Sequence, residues 1–126
     1  TSSLKYKRDV EDMWAEEADK IYDMTPKYYK SATGNDPEHH SYFGLIAEEL
    51  EPIEPRVVQL GPGPDCECPE DPDDPGHIEV HTDECLQPEG VAYDRLVPHL
   101  IVLAKRYRDQ ITDLETRLQL LEKATA

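Results

Sequence analysis

Residues 91 to 126 read VAYDRLVPHLIVLAKRYRDQITDLETRLQLLEKATA, and their apolar residues recur with a seven-residue period. Taking Tyr93, Leu100, Tyr107, Leu114 and Leu121 as d positions places Val97, Ala104, Ile111 and Leu118 at a, an unbroken assignment over four heptads. The pattern predicts a long C-terminal helix over 93–126 in a parallel coiled coil. Asp94 suits the N-cap, and Pro98 falls in the first turns, where a missing N–H costs least. Leu96 and Leu103 at g widen the stripe early, so the first half of the helix is expected to pack on the rest of the chain as well as on its copies. Beyond it the seam narrows to a and d, Leu120 excepted. Arg117 at g can then attract Glu122 at e of a neighbouring helix, a pairing compatible with a parallel arrangement. Val, Ala, Ile and Leu mixed at a do not select dimer over trimer.

Immediately upstream, residues 61–90 carry six of the eleven prolines, four of the six glycines and ten of the 28 acids. This composition predicts a long surface insertion, with a short hairpin strand at Ile78-Glu79-Val80. Before it, Arg56–Leu60 reads as a strand, Ala47–Leu50 as a short helix stopped by Pro52 and Pro55, and Tyr42–Ile46 as an apolar strand. The turn signal at Ala32–Pro37 joins that strand to one beginning at Lys27-Tyr28-Tyr29-Lys30, which makes a hairpin. Val10, Met13, Trp14, Ala18 and Ile21 line one face of a helix expected over 9–22, with Glu17 at the edge of the stripe and Trp14 as its core anchor. Pro26 prevents continuation. The expected fold is α+β: an N-terminal helix, a small antiparallel sheet packed on it, and the long C-terminal helix, with a globular portion at 1–92 and the associating helix at 93–126.

Composition excludes several classes of partner. The formal charge of −15, from 28 acids against 13 bases, repels nucleic acid and anionic membrane surfaces. No apolar run approaches a membrane span and nothing resembles a signal peptide, so a soluble protein of cytoplasmic origin is expected. With 37% apolar residues in 126, a single chain has little from which to build a core, and sharing one among copies would help it.

Two constellations can carry chemistry. Ser2 and Ser3 sit beside Lys5, Lys7 and Arg8, a basic cluster in an acidic chain. A serine hydroxyl becomes a nucleophile when a lysine amine, held neutral by desolvation or neighbouring positive charge, accepts its proton. Cys66, Cys68, His77, His81 and Cys85 form the second. Thiolates and imidazoles suit a structural zinc, and His77, His81 and Cys85 recur at four-residue intervals, whereas the same cysteines are equally suited to a disulfide or to remaining thiols. His39 and His40 read as loop surface, and Asp71, Asp73 and Asp74 lack the order of ligands of a calcium loop.

Ser2-Ser3-Leu4-Lys5-Tyr6-Lys7-Arg8-Asp9-Val10 resembles the opening motif of the phage intramolecular chaperone domains, the S74 peptidase family at the C-termini of tailspikes, tail fibres and endosialidases. That motif is a serine, often followed by Asp, then a basic residue and a lysine five positions after the serine. Tyr42-Phe43-Gly44-Leu45-Ile46-Ala47-Glu48-Glu49-Leu50 is similar to the family's Gly-Phe-Ile-Ala-Gln-Glu segment. Val91-Ala92-Tyr93-Asp94-Arg95-Leu96-Val97-Pro98-His99-Leu100 is similar to its Val-Asp-Tyr-Ser-Arg-Leu-Val-Pro-Leu-Leu entry to the last helix. The three stretches occur in the family's order, and the resemblance spans nearly all of the chain except 61–90. Ser3 stands where the family commonly has Asp, Lys5 where it has Arg, and Glu48 where it has Gln.

The resemblance implies a homotrimer that helps an upstream fibre or spike fold and align in the host cytoplasm during virion assembly. It then releases itself by autoproteolysis at Thr1-Ser2, leaving the mature fibre. Ser2 would be the nucleophile and Lys7 its general base, with no cofactor required for cleavage. The alternatives are a non-cleaving structural trimerisation cap and a zinc-stabilised binding module on a coiled-coil stalk.

Overall fold

The computed structural model describes residues 2–64, 66, 70–71, 74–78 and 85–125. The elements in chain order are a 3₁₀ turn at Leu4–Tyr6, α1 (Ala15–Ala18) running into a 3₁₀ turn at Asp19–Asp23, and β1 (Lys27–Tyr29) and β2 (Tyr42–Gly44). These are followed by α2 (Ala47–Leu50), a 3₁₀ turn at Pro55–Val57, β3 (Val58–Pro62), β4 (Glu70–Asp71), β5 (Asp74–Ile78) and β6 (Leu86–Val91). A 3₁₀ turn at Tyr93–Leu96 then leads into α3 (Val97–Thr125). The class is therefore α+β, with small antiparallel sheets and a long C-terminal helix. No helix among the described residues is long and apolar enough to cross a membrane. The chain divides into two compact units, one made of Thr1–Ile21 with Val97–Ala126 and one of Tyr22–Leu96.

In the first unit α1 packs on α3, with Ala18 and Leu103 buried and the Arg106 guanidinium donating to the Asp19 carboxylate. The helix expected over 9–22 is much shorter, because α1 begins only at Ala15. Trp14 is extended at φ −74°, ψ 147°, and Asp9 is left-handed at φ 54°, a conformation that Asp tolerates better than most residues. Nucleating a helix costs more than its first hydrogen bonds return unless packing offsets it. Of the described residues before Ala15 only Met13 is even half-buried, so that offset is missing. Trp14, the expected core anchor, is 68% exposed. His99 on α3 is buried, although nothing in its heptad position marks it.

In the second unit β1 and β2 pair as the expected hairpin, with Lys27 opposite Gly44, Tyr28 opposite Phe43 and Tyr29 opposite Tyr42. Gly34, at φ 74°, takes a turn conformation that a side chain would strain. The Tyr29 and Tyr42 rings stack at 5.5 Å on one face of the ribbon, and the ring of His40 tilts against Tyr42 at 4.6 Å. The Tyr42 hydroxyl donates to Asp36 at 2.8 Å, and that carboxylate holds the phenol above its usual pKa. Tyr28 and Phe43, on the other face, are 84% and 82% exposed.

The strand expected at 56–60 starts two residues later, after Pro55 has opened a 3₁₀ turn. It pairs with β6 rather than with the hairpin, so among the described residues three two-stranded ribbons replace the single sheet anticipated. The β3–β6 ladder runs from Val58 opposite Val91 to Pro62 opposite Leu86, with a bulge between Gln59 and Leu60. Both ends of the 61–90 stretch thus belong to a ladder, and within it β4 and β5 form a second ribbon that ends at Ile78. Glu79 and Val80, the rest of the expected strand, lie outside the described residues. Ala47, Leu50, Val57, Val58, Ala92 and Leu96 are buried, together with the carboxylate-bearing Glu54 at 1% exposure.

Candidate functional site

The Ser-Lys segment folds locally. The Tyr6 amide donates to the Ser3 carbonyl at 3.1 Å and the Lys7 amide to the Leu4 carbonyl at 3.0 Å. A 3₁₀ turn rises only about 2 Å per residue, so the path from Ser2 to Lys7 is shorter than the ~17 Å of an extended chain. The Lys5 ammonium lies 4.9 Å from the centre of the Tyr6 ring, a cation–π contact that engages one of the two lysines near Ser2. Ser2 and Lys7 are both exposed. A lysine serves as a base when its surroundings disfavour the ammonium form, and removal of water is the strongest such influence. The single chain presents this pair on its surface, where water reaches both groups.

The second and third stretches of the resemblance meet around Tyr93. Its hydroxyl accepts a hydrogen bond from the Leu45 amide at 2.9 Å, and a Cβ placed on Gly44 would lie 2.6 Å from that oxygen. Gly44 is therefore the residue that lets the phenol reach the β2 backbone. On either side of Tyr93, the Ala92 amide donates to the Val57 carbonyl at 2.8 Å and the Arg95 guanidinium to the Arg56 carbonyl at 3.0 Å. A shallow groove of about 290 Å³ beside this clasp is lined by Tyr29, Leu45, Ala47, Glu48, Glu89 and Tyr93. Periodicity assigns Tyr93 to the coiled-coil seam and Asp94 to the helix cap. Instead, residues 93–96 form a 3₁₀ turn and α3 starts at Val97. The signal that distinguishes them is Gly44 within Tyr42–Leu50, a glycine at the end of an apolar strand where a bulky residue would be ordinary.

From Val97 onward the heptad seam is open. Val97, Leu100, Tyr107, Ile111, Leu114, Leu118 and Leu121 are all exposed, Leu114 at 58%, and Ala104 between them is exposed as well. Leu96 and Leu103, the two g residues that widen the stripe, are buried. The a and d positions of α3 thus form an uncovered apolar strip more than six helical turns long.

Of the five sulfur and imidazole residues in the insertion, the side chains of Cys66 and Cys85 are described, and both residues are half-buried. Gly63 connects their backbones: its amide donates to the Cys85 carbonyl at 2.9 Å and its carbonyl accepts from the Cys66 amide at 3.1 Å. His77 lies on β5. Its side chain, Cys68 and His81 lie outside the described residues, so the five-residue ligand set is not assembled on described atoms. No protein-family model matches the chain, and no match was found among curated proteins.

Proposed function

We propose that this chain is a trimerising intramolecular chaperone of the phage tailspike and tail-fibre type. It would assemble through α3, align an upstream fibre or spike, and release itself by cutting Thr1-Ser2. The observation that supports this most is the uncovered seam of α3. A heptad strip of Leu, Ile, Val and Tyr exposed from Val97 to Leu121 is costly in water and is satisfied by parallel copies of the same helix. The Ser-Lys segment belongs to the same compact unit as that helix. The spacing of Ser2 and Lys7 and the two further stretches of resemblance carry the rest of the reading.

The chemistry follows from the two residues. With Lys7 accepting its proton, the Ser2 hydroxyl attacks the Thr1 carbonyl and the acyl group passes from nitrogen to oxygen. The resulting ester is hydrolysed by water, freeing a chain that begins at Ser2. Cleavage in this scheme needs no metal, and zinc in the insertion would be structural. Assembly and release take place in the host cytoplasm while virions form. The exposure of Ser2 and Lys7 in the single chain favours one second reading, a trimerisation cap that holds fibre strands together without cutting.

A precursor carrying upstream residues separates the two. Intact mass and N-terminal sequencing are expected to give a fragment starting at Ser2, abolished by Ser2→Ala and by Lys7→Ala. An uncut native precursor that sediments as a trimer overturns the cleaving reading and leaves the cap.

A further inference from the structure

We propose that the groove beside Tyr93 is a docking site for an arginine side chain carried on an extended segment of a basic partner protein. All of its lining residues belong to the Tyr22–Leu96 unit. Two aromatic rings stand in its walls, and both are held in place. Tyr29 stacks on Tyr42 at 5.5 Å, and the Tyr93 hydroxyl is fixed by the Leu45 amide at 2.9 Å. Two acids join them from separate elements, Glu48 from the first turn of α2 and Glu89 from β6, where Gly61 on the paired strand leaves room for the Glu89 carboxylate. Among the described residues neither carboxylate has a hydrogen bond or an ion pair, in contrast to that of Glu49 on the same helix, which pairs with Lys27 at 3.7 Å.

The chemistry of this lining selects a planar cation. A tyrosine face attracts a guanidinium through its ring quadrupole, and the guanidinium's fork of N–H donors serves carboxylates on two sides, where an ammonium offers a point charge. A hard metal ion takes six or so oxygen ligands, which aromatic walls do not supply. At about 290 Å³ the groove is at the bottom of the range that holds a whole small molecule, and it suits one long side chain. The strand beside it favours delivery on an extended segment. The Ala92 amide bonds the Val57 carbonyl, so the next pair of the β3–β6 ladder, Val58 with Val91, is a non-hydrogen-bonded one, and the Val91 amide and carbonyl turn away from β3. Among the described residues β6 pairs only with β3, which leaves this edge without a strand partner. An added strand would use the edge for main-chain hydrogen bonds and the groove for one of its side chains. The net charge of −15 adds long-range attraction for a basic partner. The site depends neither on assembly through α3 nor on cleavage.

The experiment titrates the isotope-labelled full chain with the capped peptide Ala-Val-Arg-Val-Ala, and with its counterpart in which glutamine replaces arginine, and follows the backbone amides by NMR. The arginine peptide is expected to shift the amides of Leu45–Glu48 and Glu89–Val91 saturably and to be weakened by salt, with the glutamine peptide binding about tenfold less well. Glu48→Gln and Glu89→Gln should each weaken binding by about two- to fivefold, the range of an exposed ion pair, and Tyr29→Leu should weaken it as well. Glu51→Gln removes an equal charge just beyond α2 but outside the groove, and should leave binding unchanged. Far-UV circular dichroism confirms that each variant folds. Equal binding of the two peptides, shifts away from the groove, no loss on Glu48→Gln and Glu89→Gln, or an equal loss on Glu51→Gln would each overturn the inference. Movement of the groove amides with protein concentration alone would overturn it too, since a second copy would then fill the site.

Discussion

Tyr93 and Tyr107 occupy the same heptad position two repeats apart, and the structure uses them in opposite ways. Tyr93 spends its hydroxyl on the Leu45 amide and its ring against Gly44, inside a clasp that also joins Ala92 to Val57 and Arg95 to Arg56. Tyr107 lies on α3 among exposed Leu, Ile and Val side chains. The clasp is complete within one chain, because each of its hydrogen bonds has both partners in residues 22–96. The helix seam is not, because its apolar positions meet solvent. The difference separates what a single copy needs in order to fold from what it offers to other copies.

The largest expected effect breaks the seam while leaving the clasp alone. Ile111→Asp combined with Leu118→Asp puts two charges at consecutive a positions that are already exposed in the single chain. Each buried aliphatic side chain contributes about 1.5–3 kcal/mol, and the pair recurs in every copy, so association should weaken by at least ~1,000-fold. Sedimentation equilibrium is expected to show trimers for the native chain and monomers for the variant. An unchanged mass would mean that α3 does not carry the assembly.

The second effect strikes the self-sufficient unit. Leu50 on α2 is 1% exposed, and removing three of its carbons leaves a void that the short elements around it cannot readily fill. Leu50→Ala should cost about 2–5 kcal/mol. That is a large part of the ~5–15 kcal/mol that holds a small domain together. A urea titration followed by far-UV circular dichroism should show an earlier midpoint for the Tyr22–Leu96 unit. A midpoint unchanged within error would show that this core is not what stabilises it.

How much of this was legible in the sequence follows the range of the interactions. The hairpin at Lys27–Tyr29 and Tyr42–Gly44, the short helix at Ala47–Leu50 and the long helix came from turn residues, prolines and a sustained period, all of them local. The partnering of β3 was not legible, because the strand that completes it, LQPEGV, carries a proline, a glycine and a glutamate and reads as loop. Only pairing with Val58–Pro62 makes it a strand. The N-terminal helix was over-extended for the converse reason: Val10, Met13 and Trp14 have helical spacing, but Val10 and Trp14 are exposed and Met13 is only half-buried. For the candidate site, Ser2 and Lys7 were identified from residue type and resemblance, whereas the approach of Cys85 to Gly63 depends on a ladder register that no local pattern encodes.

The smallest effect returns to the two tyrosines and sharpens the contrast between them. Tyr93→Phe removes one oxygen and leaves the Leu45 amide without the acceptor it has now. A hydrogen bond of this kind contributes about 0.5–1.5 kcal/mol, and because Tyr93 is 50% exposed and the bond lies at the surface, water serves the freed amide and the cost falls in the lower half of that range. Tyr107→Phe removes the same atom from an exposed position, where solvent already serves the hydroxyl, and belongs with surface changes of about 0.5 kcal/mol or less. Measured by urea unfolding of the chain at concentrations too low for assembly, Tyr93→Phe should therefore be the more destabilising of the pair. At concentrations where copies associate, Tyr107→Phe should leave the proposed trimer intact, since the substitution keeps the ring and removes only one oxygen. Equal losses for the two variants at low concentration would mean that the Tyr93 hydroxyl contributes no more than a surface phenol, and that ring packing and the Ala92–Val57 and Arg95–Arg56 hydrogen bonds hold the clasp.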